Sequence, residues 1–65
     1  MMVAELEIWR AAALVIKRYG AAAETEADKR AEILLDRGDR EGVVLWLRIK
    51  RAIVDWQAGP TGPAH

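Results

Sequence analysis

Leu34-Leu35-Asp36-Arg37-Gly38-Asp39-Arg40-Glu41-Gly42 decides the fold, because one amphipathic pattern stops and a second starts inside it with almost no loop between them. Gly38 is the residue type that accepts the left-handed backbone just past a helix end. Asp39 is a preferred N-cap, with a carboxylate suited to accept hydrogen bonds from the first amides of the next helix. The stretch therefore predicts two helices meeting at a tight corner, with Gly38 and Asp39 as its structural pivot.

C-terminal to the corner, the spacing predicts a helix over about 40–57. Trp46, Ile49, Ile53 and Trp56 recur at helical intervals as its main core stripe, with Gly42 and Leu45 beside them. A second apolar line, Val43, Leu47 and Val54, lies roughly 100° away and is interrupted by Lys50, whose stem can lie along such a surface. N-terminal to the corner, a helix over about 22–37 presents the small face Ala23, Ala27, Ala31 and Leu34, which lets a neighbouring backbone come close. Its start is open between direct hand-over from Gly20 and a cap at Thr25.

A first helix over about 3–19 carries Glu5 and Glu7 in its opening turn and Lys17 and Arg18 in its last, the order that complements the helix dipole. Its expected core stripe is Leu6, Trp9, Ala13 and Ile16, flanked by Ala12 and Tyr19, with Leu14 on the opposite side. The expected architecture is all-α: a compact three-helix domain over 1–57 and a flexible, disordered Gly/Pro tail over 58–65.

At 65 residues such a domain hides only about 60% of the surface its unfolded chain exposes, so its stability is scarce. The usual remedies are disulfides, a structural metal or self-association, and the absence of cysteine removes the first and every thiolate site. That leaves self-association. Lys plus Arg and Asp plus Glu both total 10, so no global field steers the chain toward nucleic acid or anionic lipid. No basic leader and no long uncharged apolar run is present, and the expected location is the cytoplasm.

Five features carry a functional reading. Arg37-Gly38-Asp39 spells a tripeptide read by adhesion receptors, but a helix corner needs those same residue types. A helix-turn-helix reading would present Arg40, Arg48, Lys50 and Arg51 to nucleic acid, yet the second helix begins with Gly42-Val43-Val44-Leu45-Trp46 where exposed polar residues are wanted. Glu24, Asp28, Glu32 and Asp36 form an acidic ridge whose like charges, four apart, disfavour the isolated helix; it reads first as a solvated face, and its functional reading is a docking surface for a basic partner, such as Arg48 and Arg51 of another copy. The three tryptophans read as core, with Trp56 the one a partner would cover. Arg30, four residues after Glu26, reads as a structural ion pair before it reads as a carboxylate site.

Catalysis has little to stand on. There is no cysteine and no serine, and the single histidine is His65, with no base beside Thr25 or Thr61. No catalytic residue, cofactor or metal ligand is expected.

The arrangement Trp9, Tyr19-Gly20, Leu34-Leu35, Arg37-Gly38-Asp39, Gly42, Trp46, Ile49 and Ala52-Ile53 resembles a family of short uncharacterised proteobacterial proteins, a domain of unknown function, over about 6–57. The resemblance implies a small helical fold in a bacterial cell and brings no activity with it. The expected role is a non-enzymatic interaction module acting as a homodimer through Leu14, Val43, Leu47, Val54 and Trp56. The alternatives are a nucleic-acid-binding regulator using helix three and an adaptor docking a basic partner on the acidic ridge.

Overall fold

A computed structural model describes residues 4–59 and is helical almost throughout, with no strand among the described residues. Helix α1 spans Glu5–Tyr19, a 3₁₀ turn spans Gly20–Ala22, α2 spans Ala23–Asp36 and α3 spans Arg40–Ala58. The expectation of three separate helices needs correction, because residues 5–36 form one unbroken helical run, long and bent, and α3 is the second arm. The bend is made at Gly20, whose φ of 56° and ψ of −125° match the first central position of a type II′ turn, a conformation glycine accepts and side chains resist. Gly20 thus hands over directly, and Thr25 lies inside α2 without capping it. Ala58 closes α3 instead of opening the tail; the rest of the expected tail, from 60 on, and Met1–Val3 lie outside the described residues.

The corner at 37–39 is built from backbone bonds. Gly38, at φ 76°, donates to the Leu35 carbonyl at 3.0 Å, and Asp39 donates to that of Leu34 at 2.9 Å. These are the two bonds of a Schellman motif, which satisfies carbonyls a helix end would otherwise orphan. The Asp39 carboxylate then accepts from the Gly42 amide at 2.9 Å, making Asp39 the N-cap of α3.

Antiparallel α2 and α3 make the most extensive contact, and α1 lies against both. Trp56 meets Trp9 with ring centroids 5.6 Å apart, while the Gln57 amide donates to the Gly20 carbonyl at 3.0 Å. Neighbouring residues of α3 thus reach two points of α1 about 16 Å apart along its axis. Helix α1 therefore crosses the C-terminal part of α3.

The buried hydrophobic residues are Ile8, Ala12, Ala23, Ala27, Ala31, Ile49, Ala52 and Ile53. Five are alanines, so the helices approach closely and bury little area. The α2 face falls where the alanine spacing put it, with Leu34 half-buried at its end. The α1 stripe does not: Ile8 and Ala12 point inward, Trp9, Ala13 and Ile16 are half-buried, and Leu6 is 60% exposed. On α3, Ile49, Ala52 and Ile53 form the core, Trp46 is half-buried and Trp56 is exposed. No helix among the described residues is long and apolar enough to cross a membrane.

Candidate interaction face

The side of the α2–α3 pair turned away from α1 is located by one contact. Lys50 of α3 reaches Asp28 of α2, nitrogen to oxygen, at 2.9 Å. That hydrogen bond holds the ammonium's pKa above its ordinary value, the charge of Asp28 adding to it. In an antiparallel pair, the bridge sets the level and places Leu35 beside Val43. At 100° per residue, Val43, Val54 and Leu47 point within about 40° of one another, next to Lys50, and Leu35 points within about 20° of Asp28. One face therefore carries Leu35, Val43, Leu47 and Val54 around a polar bridge. Leu35 is 63% exposed and Leu47 48%, while Val43 is half-buried, contrary to its expected place as an outward residue, because it sits closer to the seam between the helices.

Two other expected members of that face lie elsewhere. Leu14, exposed on the outer side of α1, points away from both other helices, and Trp56 lies against Trp9 at the α1 crossing. Leu35 is the residue the sequence reading missed; its place beside Asp28 on the helical wheel held the signal.

The charged residues frame the face. Glu32 and Asp36 continue the acidic ridge along the outer edge of α2, beyond Leu35, and all four ridge residues are exposed. The ridge is nevertheless not wholly free for a partner, since Asp28 is engaged by Lys50 within the chain. Arg40 and Arg51 point about 20° apart along the outer edge of α3, beyond Leu47. Arg51 also pairs with Asp55 at 3.3 Å. Arg48 is turned toward α1, and it and Arg51 line a groove with Glu5, Ile8 and Trp9. Of the four cations of the helix-turn-helix reading, Lys50 is turned to Asp28 of α2, Arg51 is paired with Asp55, and Arg48 lines the groove toward α1, so they are divided between different sides of α3.

Arg30 is engaged within the fold. Its Nε donates to Glu26 at 3.0 Å, its Nη2 donates to the Tyr19 hydroxyl at 3.4 Å, and the guanidinium lies 5.2 Å from the centroid of the Trp46 ring. The bond to Tyr19, then that to Glu26, raises its pKa above the ordinary value. The group joins α1, α2 and α3, so its donors serve the fold. The three tryptophans do not converge on one cage, because Trp46 lies under Arg30 while Trp9 and Trp56 pair at the α1 crossing.

Among the described residues, no group of three or more His, Cys, Asp or Glu side chains is placed to hold a metal ion. Comparison with protein-family models, with curated proteins and with solved structures returns no match to this chain.

Proposed function

We propose that this chain is a non-enzymatic helical interaction module that works as a homodimer, with the Leu35, Val43, Leu47 and Val54 face of α2 and α3 at the contact. One observation carries the reading: large apolar side chains are more numerous outside than in. Leu6, Leu14, Ile33, Leu35, Val44, Leu47, Val54 and Trp56 are exposed, whereas the large buried ones are Ile8, Ile49 and Ile53. Single exposed leucines are ordinary, but several on one two-helix face mark an interaction site. A second copy supplies the apolar area that an alanine-rich core lacks, and cysteine is absent, so no disulfide substitutes for it.

Sedimentation equilibrium of the full chain tests this. The weight-average mass is expected to rise toward that of a dimer with concentration, and Leu47→Glu to hold it at the monomer. Leu14→Glu, outside the face, is expected to leave association as in the wild type. A wild-type chain that stays monomeric across the range, or a Leu47→Glu chain that associates equally well, overturns the proposal.

A further inference from the structure

We infer that the two copies pack with their helix pairs parallel, α2 of each lying over α3 of the other and both corners at the same end, so that Asp36 of each copy faces the partner's Arg40. This rests on the dimer reading above and adds its geometry. The α2–α3 face is a three-lane surface. An acidic lane, Glu32 and Asp36, runs along the outer edge of α2; the apolar residues Leu35, Val43, Leu47 and Val54 surround the Lys50–Asp28 bridge at the centre; a basic lane runs along the outer edge of α3, opened by Arg40 and continued by Arg51, which is paired with Asp55 and also lines the groove toward α1.

Two identical faces meet about a two-fold axis lying in their common plane. An axis across the helices sets α2 over α2 and brings acidic lane to acidic lane. An axis along the helices exchanges left for right and keeps top and bottom, so each acidic lane meets a basic one. Like charges across an interface are strongly disfavoured, so the lanes select the second arrangement. Levels match as well: Asp36 and Arg40 flank the same corner, and in an antiparallel pair they sit within about two residues, ~3 Å of rise, of each other.

The signs of Asp36 and Arg40 add an independent argument. Asp36 sits in the last turn of α2, where a negative charge opposes the helix dipole, and Arg40 opens α3, where a positive charge does the same. Among the described residues, neither has an ion-pair partner. Each therefore carries the sign its own helix disfavours and the sign the opposing lane requires.

The face is about 21 Å long, from the 14 residues of α2, and roughly 20 Å wide, two helix diameters. Its footprint is on the order of 500 Å² per copy, below the ~800 Å² of a standard stable complex. A face this small is expected to associate weakly, so that charge pairs at its edges weigh on the geometry.

The test uses Asp36→Arg and Arg40→Asp, two variants whose new charges agree with their own helix dipoles and so leave the monomer's fold intact. At low salt, each alone is expected to weaken self-association about tenfold or more, since each symmetric dimer then holds two like-charge contacts. An equimolar mixture is expected to form a heterodimer of near wild-type affinity, read by native mass spectrometry with one chain isotope-labelled, because both contacts become opposite in sign. If the wild type dimerises, Leu47→Glu does not, and the mixture shows only statistical exchange, the parallel geometry is wrong and the dimer reading stands. A monomeric wild type overturns both.

Discussion

Asp39 belongs to two helices at once. Its amide donates to the Leu34 carbonyl and so helps terminate α2, while its carboxylate accepts from the Gly42 amide and so opens α3. Asp39→Ala keeps the first bond and loses the second, with an expected cost of about 1 kcal/mol in thermal or denaturant unfolding. Gly42 is tied to the same carboxylate. Glycine to alanine inside a helix ordinarily stabilises by roughly 0.5–1 kcal/mol. Here a Cβ would stand 2.8 Å from Asp39 Oδ2 and 2.9 Å from Leu34 Cδ1, so the capping carboxylate must move. Gly42→Ala is therefore expected to melt at or below the wild-type temperature, and a higher Tm would mean the cap tolerates the displacement. The corner residues were legible in the sequence because capping is local chemistry, decided within a few residues. The crowding at Gly42 was not, since one of the two groups its Cβ would meet is Leu34, brought near only by the turn.

At the scale of the element, α2 packs through a face that is nearly all backbone and methyl. Ala27 is fully buried within the core cluster, so a longer side chain there has to displace its neighbours. Ala27→Leu is expected to cost about 1–3 kcal/mol by overpacking, measured by chemical denaturation, despite leucine's good helix propensity. The alanine period could be read directly from sequence because polar residues surround it on the wheel. Helix α1 could not be read in the same way, being apolar over too wide an arc for its period to single out one face. Leu6 and Ile8 are equally apolar, and what makes Ile8 the buried one is where α1 crosses α3. Trp56, the tryptophan expected to be left for a partner to cover, is indeed partly open. It lies in the final turns of α3, where Trp9 is its ring partner and the rest of the side chain meets solvent. Of the proposed face, the line Val43, Leu47 and Val54 can be read on one helix, but Leu35 belongs to a different helix and joins the line only through the antiparallel pairing that Lys50 and Asp28 mark.

At the scale of the molecule, the proposed dimer would make stability and association one quantity, because the core is small and an apolar face is open. A ligand that binds only the folded chain stabilises it by mass action, and a second copy is such a ligand. The wild-type Tm is thus expected to rise with protein concentration in scanning calorimetry, while that of Leu47→Glu stays constant. A concentration-independent wild-type Tm would show that the folded monomer needs no partner. The reversal between the arms is concentrated in a few residues around Gly38, at φ 76°. A β-branched residue there, as in Gly38→Val, resists the left-handed backbone and favours running α2 straight into α3 as one rod. A rod cannot fold its two halves onto each other, so each half must find its complement on another chain. The corner glycine is in this sense the residue that decides whether the chain completes its core from itself or by exchanging arms with a neighbour.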